Sequence, residues 1–210
     1  MHRVRMLKHY GVIPYVVFDG GYLPSKASTE HDRAEKRKEQ KELALQHEAS
    51  GNTKAAFDAF QRAVDITPEM AFKLVEALRT ESVNYIVAPY EADAQLAYLE
   101  RTGVVSAILT EDSDLLVFGC KTLLVKMDQY GGCIEIKRER FANVTGVISL
   151  HGWTDERFRQ MAILSGCDYL PNIPNLGLKT AYRLLRKYKT VEKVDCCVGK
   201  LVFGPVLRIQ

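Results

Sequence analysis

The chain has 210 residues, 47% hydrophobic and 26% charged, enough to bury one full core and a small appended module. No apolar run approaches the roughly 18 residues of a membrane span, and Met1-His2-Arg3-Val4-Arg5-Met6 lacks a signal peptide's apolar core, so a soluble intracellular chain with no membrane partner is expected. The five cysteines, Cys120, Cys133, Cys167, Cys196 and Cys197, form no CxxC pair and are odd in number, which speaks against a disulfide framework or a zinc site.

A net charge of +3 diagnoses little, but its distribution is uneven. Residues 151–210 carry ten Lys/Arg against five Asp/Glu, whereas residues 1–150 carry nineteen against twenty-one. A basic C-terminal part beside an acidic part suits a polyanionic partner processed at metal ions; ordinary charged helix surfaces are the plainer explanation.

In chain order, residues 1–10 read as the end of a helix, broken at Gly11, and Pro14 to Phe18 as a buried strand. A long polar helix is predicted from Lys26 to Ala49, with little apolar content before Leu43. Its first half has no apolar stripe to hold it on a core, so it is either an exposed arm or mobile until something binds. Ala55, Phe57, Phe60, Ala63 and Val64 mark an amphipathic helix, and Thr67-Pro68-Glu69 the capped start of another. From Val83 the pattern alternates: a strand around Tyr85 to Ala88, a helix from Glu91 to Arg101, a strand from Val104 to Leu109, a turn, and a strand from Thr122 to Val125. This order predicts an α/β fold with a mainly parallel central sheet flanked by helices. Cys133 to Ile136 adds an antiparallel edge, and helices follow at Glu156 to Ser165 and Leu178 to Tyr188, joined by a proline-punctuated loop.

Six carboxylates fall where these apolar segments end. Asp19 closes the run Pro14 to Phe18; Glu91 and Asp93 follow the strand around Tyr85; Asp112 and Asp114 follow Val104 to Leu109; Asp168 follows the helix ending near Leu164. Ligands of open α/β sheets bind beyond the carboxyl ends of the strands, so acids delivered there by several segments would gather. Two unit charges about 4 Å apart repel by roughly 4 kcal/mol at an effective dielectric near 20, so such a cluster needs cations. Hard carboxylate oxygens suit Mg²⁺, with Mn²⁺ as a substitute, which points to metal-dependent phosphate chemistry. Each acid also has a plainer reading. Glu91 and Asp93 lie in a first helical turn where the dipole favours acids, Thr110-Glu111-Asp112-Ser113-Asp114 could be a solvated loop, and Asp19-Gly20 is a common turn pair.

Two basic features accompany the acids. Arg33 to Lys41 holds five bases and two acids, close enough in sequence to Asp19 to stand over the cluster and hold a phosphate backbone; a solvated helix with i,i+4 pairs is the alternative. Gly177 opens a helix whose unpaired amides, with Lys179, could grip a phosphate.

Together the phrases Val17-Phe18-Asp19-Gly20, Ala88-Pro89-Tyr90-Glu91-Ala92-Asp93-Ala94-Gln95, Thr110-Glu111-Asp112-Ser113-Asp114 and Leu164-Ser165-Gly166-Cys167-Asp168-Tyr169 resemble, in order, the acidic motifs of the structure-specific 5′-nuclease superfamily, the flap endonuclease and exonuclease 1 group. The match covers about residues 5–190; Leu23-Pro24-Ser25-Lys26, Phe118-Gly119-Cys120-Lys121 and Lys126-Met127-Asp128-Gln129 resemble the exonuclease 1 branch most. The resemblance implies a nuclease core over 1–150 with a helical arch at about 24–66, and a helix-two-turn-helix over 151–194 that binds duplex DNA with a monovalent cation such as K⁺. It assigns Asp19, Glu91, Asp93, Asp112, Asp114 and Asp168 to two Mg²⁺ ions and Lys26 and Arg33 to the scissile phosphate. Lys36 and Arg37 continue that basic face, and Ser165, Asn172 and Leu176 fall at the cation loop. It implies a 5′→3′ exonuclease and flap endonuclease acting on DNA 5′ ends, nicks and flaps in nuclear repair, including mismatch repair and end resection.

The family's glycine-led N-terminus, first core strand and one further metal-binding aspartate have no counterpart here, so an N-terminally incomplete core is expected. Residues 195–210 depart from the family pattern, and the long tail that binds mismatch-repair proteins in the family is expected to be missing. Two rival readings follow: a truncated, non-catalytic DNA-binding fragment, and a metal-dependent phosphatase acting on a small substrate.

Overall fold

A computed structural model of the chain describes residues 1–170 and 173–198. The backbone forms two compact units, Met1–Glu91 and Ala92–Gln210, each with its own small sheet.

In the first unit, helix α1 (His2–His9) gives way at Gly11, whose φ of +76° is a left-handed turn, to strand β1 (Tyr15–Phe18). A short 3-10 turn (Pro24–Lys26) leads into helix α2 (Ala27–Ala49). Its polar first half buries nothing, and Ala44 is its one buried residue. Helix α3 (Thr53–Ala63) packs along α2 and buries Ala56 and Ala59, so the fully buried residues of the pair are all alanines. Asn52 Oδ1 caps α3 by accepting from the Ala55 amide at 3.2 Å. Thr67 does the same for helix α4 (Pro68–Thr80), accepting from Met70 at 3.4 Å, with Pro68 in the first turn as the sequence predicts. Strand β2 (Asn84–Val87) then pairs parallel with β1, in register from Tyr15↔Asn84 to Phe18↔Val87.

The second unit opens with helix α5 (Ala92–Arg101), followed by strand β3 (Ile108–Leu109), the helical turn α6 (Leu115–Phe118), and strands β4 (Thr122–Val125) and β5 (Ile134–Lys137). β3 and β4 are parallel, and β5 joins as the antiparallel edge the sequence predicts. The α/β class with mainly parallel pairing is therefore present, with the strands divided between two sheets. β3 is shorter than the predicted Val104–Leu109. The amides of Val104 and Val105 both donate to the Leu99 carbonyl, at 2.9 and 3.3 Å, closing the end of α5 instead of entering the sheet. Ile108, Leu115, Cys120 and Leu123 form the core beneath, with Leu96 and Ala97 against it.

Glu100 is the exception in this core. Only 5% exposed, it accepts from the amides of Lys121 at 2.6 Å and Thr122 at 2.7 Å, so the charge is satisfied by the entry to β4. Burial, reinforced by the Glu100 charge, pushes the Cys120 thiol up to about 11, which keeps this cysteine protonated and unreactive at neutral pH.

A second core follows a 3-10 segment (Arg138–Asn143). Helices α7 (Asp155–Ser165) and α8 (Leu178–Tyr188) pack through Met161, Leu164, Leu176, Ala181, Tyr182 and Leu185, and helix α9 (Val191–Val198) adds Val194. Arg138 ties the two cores of this unit. It donates to the Leu116 carbonyl at 2.7 Å, pairs with Asp155 at 2.7 Å, and lies over the rings of Phe141 and Phe158. The divergent segment expected at 195–210 begins inside α9, and residues 199–210 lie outside the described residues.

The role of Glu100 gives a stability test. Glu100→Ala leaves two amides at the start of β4 without their acceptor and should lower unfolding free energy by about 1–3 kcal/mol. Glu100→Gln, which keeps an acceptor oxygen, should lose less; urea midpoints measured side by side check both.

Candidate metal centre and nucleic-acid interface

In the first unit the site grows from the β1–β2 pair. Beyond the strands the backbones stay hydrogen-bonded: Ala88 donates to Phe18 at 2.9 Å, Gly20 to Tyr90 at 2.6 Å and Gly21 to Pro89 at 2.9 Å. A Cβ on Gly20 would lie 1.7 Å from the Ala88 carbonyl oxygen, so glycine alone permits this approach. Asp19 and Glu91 are thereby delivered by adjacent loops at the carboxyl ends of two parallel strands.

Lys26, at the foot of α2, forms an ion pair with Glu91, and the two side chains are only 14% and 18% exposed. Lys26 and Glu91 are thus brought together, the ammonium standing against a carboxylate assigned to metal. A donor set of hard carboxylates suits Mg²⁺ or Mn²⁺, while one Glu91 oxygen is engaged by Lys26. Higher on α2, Arg33 pairs with Glu30 one turn back at 3.0 Å, while Arg37 reaches Asp65 at 3.3 Å. Both are surface ion pairs, of a kind that contributes little to stability. Lys36 is exposed between them.

In the second unit, Asp93 stands in the first turn of α5. Asp112 and Asp114 follow β3 on a loop organised by its own side chains. The Asp112 amide donates to Thr110 Oγ1 at 3.1 Å, and the Asp114 amide donates to Asp112 Oδ1 at 2.8 Å. Asp112 is thus a turn former as well as a candidate ligand, with one oxygen engaged by the backbone. Asp114 occupies the N-cap position of α6, yet its carboxylate does not cap that helix. The third acid of the run, Glu111, takes a different direction and accepts from the Lys126 amide at 3.0 Å. Among the described residues, no three His, Cys, Asp or Glu side chains are already gathered as a metal-binding group.

Asp168 lies in the tight turn closed by the Cys167–Leu170 bridge, just past α7. Of the cation-loop residues, Ser165 uses its hydroxyl to donate to the Ala162 carbonyl at 2.8 Å, and the Leu176 side chain is buried in the helical core. Any part they play in cation binding therefore falls to the Ser165 lone pairs and the Leu176 backbone. Asn172 lies outside the described residues.

Gly177 is the N-cap of α8, and nothing among the described residues lies within 4 Å of where its Cβ would be. Behind it Ala181, Tyr182 and Leu185 face the core, while Lys179, Arg183, Arg186 and Lys187 are exposed. Arg183 and Arg186 belong with Lys179 in one basic stripe that motif reading passed over; the i, i+4, i+7 spacing of the bases was the available signal.

The family model of the XPG I-region matches residues 82–168, and that of the XPG N-terminal domain matches residues 1–40, together more than half of the chain. Exonuclease 1 of Oryza sativa subsp. japonica is 50% identical over 194 residues, covering 92% of this chain and 23% of the relative. Among solved structures, the catalytic core of Rad2 in complex with DNA substrate superposes with a TM-score of 0.67 at 23% identity, over 91% of this chain and 52% of that one, which shows the fold. The Holliday junction-resolving enzyme GEN1, in complex with product DNA and Mg²⁺, is 26% identical with a TM-score of 0.56, over 89% of this chain and 36% of that one. The chain spans about a quarter of the length of the exonuclease 1 relative. With both XPG regions present in order and the acidic motifs inside them, the chain belongs to the XPG-type 5′-nuclease family.

Proposed function

We propose that this chain carries the metal-binding and DNA-binding parts of a 5′→3′ exodeoxyribonuclease with flap endonuclease activity, acting in nuclear DNA repair. One observation carries the reading: acids follow the carboxyl ends of β1, β2 and β3, and a lysine of the basic arm is paired with one of them. Asp19, Glu91, Asp93, Asp112, Asp114 and Asp168 hold two Mg²⁺ ions, for which Mn²⁺ substitutes. When bound, such ions supply an activated water and charge stabilisation at the leaving oxygen. Lys26 and Arg33 engage the scissile phosphate, and Lys36 and Arg37 extend the contact along the backbone. The Gly177 helix start and Lys179 grip a duplex phosphate, and the loop of Ser165, Asn172 and Leu176 takes K⁺. The substrates are DNA 5′ ends, nicks and flaps, in mismatch repair and end resection. Mismatch-repair proteins are the partners expected of the longer relatives.

The deciding assay incubates the chain with 5′-recessed, nicked and 5′-flap DNA, with Mg²⁺, Mn²⁺ or EDTA. Metal-dependent shortening from the 5′ end supports the reading. Gel shifts of branched DNA without cutting favour a binding fragment, and hydrolysis of small phosphate esters with indifference to DNA ends favours a phosphatase. Placed in a full-length context, Asp112→Ala or Asp114→Ala should abolish cleavage and weaken Mn²⁺ binding while leaving DNA binding largely intact. Lys179→Ala should weaken duplex binding without altering which end is cut, and should reduce the log–log salt slope by about 0.9. An unchanged slope removes Lys179 from the interface.

A further inference from the structure

The acidic run after β3 contains three carboxylates, and the structure gives them unlike tasks. β3 has only two residues, Ile108 and Leu109, paired with Leu123 and Leu124, too few to fix the loop beyond it. Two further bonds extend the pairing: the Thr110 amide donates to the Leu124 carbonyl at 3.1 Å, and the Lys126 amide donates to Glu111 Oε1 at 3.0 Å. Lys126 has a φ of +56°, a left-handed conformation uncommon outside glycine. The Glu111 carboxylate takes up the amide that this turn presents beyond β4. Glu100 does the same at the other end of β4, accepting from Lys121 and Thr122. Two glutamates therefore bracket one strand, and the second is flanked in sequence by Asp112.

We propose that Glu111 is a positioning residue: by anchoring the loop to the end of β4, it sets the direction in which Asp112 and Asp114 present their carboxylates to a divalent cation. The proposal rests on the metal reading above and adds to it. Glu111 needs only an acceptor oxygen for this role, which a glutamine supplies and an alanine does not. A metal ligand needs the charge, which glutamine lacks.

The test uses the 210-residue chain with Mn²⁺ as the probe, followed by electron paramagnetic resonance, and amide exchange at Lys126 in the metal-free protein. Glu111→Ala should speed exchange at Lys126 about tenfold or more and weaken Mn²⁺ binding by roughly tenfold, as loss of a ligand's supporting contact does. Glu111→Gln should stay within about twofold of wild type in both measurements. If Glu111→Gln loses Mn²⁺ as badly as Glu111→Ala, Glu111 is itself a ligand and the proposal is wrong. Unchanged exchange and Mn²⁺ affinity in Glu111→Ala also overturn it. Asp112→Asn separates this failure from failure of the metal reading. If Asp112→Asn binds Mn²⁺ like wild type, the site is misplaced and the proposal falls with it. If Asp112→Asn loses Mn²⁺ while Glu111→Ala keeps it, the positioning role alone is overturned.

Discussion

A single missing side chain governs the first unit. Gly20 faces the Ala88 carbonyl so closely that any Cβ would overlap it, and the hydrogen bonds from Gly20 and Gly21 to Tyr90 and Pro89 exist only because of that approach. They carry the parallel pairing of β1 and β2 past the ends of both strands. Asp19 and Glu91 are set by this zip, and the foot of α2 is tied to it through Lys26. Replacing Gly20 with alanine would have to displace backbone rather than the end of a flexible chain, so the loops would part and take both acids with them.

Carboxylates serve two purposes in this chain, and side-chain reach helps to separate them. Glu100 and Glu111 extend far enough to cap neighbouring strand amides, acting as braces for β4. The shorter Asp112 bonds within its own turn, and Asp114 leads directly into α6. Arg138 offers the same lesson with opposite charge. Its planar head meets a carbonyl, a carboxylate and two aromatic faces at once, a combination that lysine cannot reproduce.

Much of this was legible in the sequence, and the exceptions have physical causes. Helix starts at Thr67 and the antiparallel edge at Ile134 could be read because caps and alternation are local signals. The shortness of β3 could not, because Val104 and Val105 are apolar and β-branched yet spend their amides on the end of α5. Glu100 was hidden because an acid on a helix normally reads as its wet face; its burial depends on where β4 begins, many residues later. The pairing of Arg37 with Asp65 and of Lys26 with Glu91 likewise joins residues far apart in the chain. Asp19 has a plain reading as a turn residue, since Asp-Gly is a common turn pair. The contact that gives Gly20 its meaning lies in a different segment.

The alanine seam between α2 and α3 has a mechanical consequence. Ala44, Ala56 and Ala59 let two helices approach closely, but three buried methyl groups contribute only about 0.8 kcal/mol each. Their sum is of the same order as one or two hydrogen bonds to a charged group. The close fit fixes how the hairpin sits, and the Arg37–Asp65 pair adds to its fastening. A load on the exposed, polar half of α2 would reach this joint through a long helix acting as a lever.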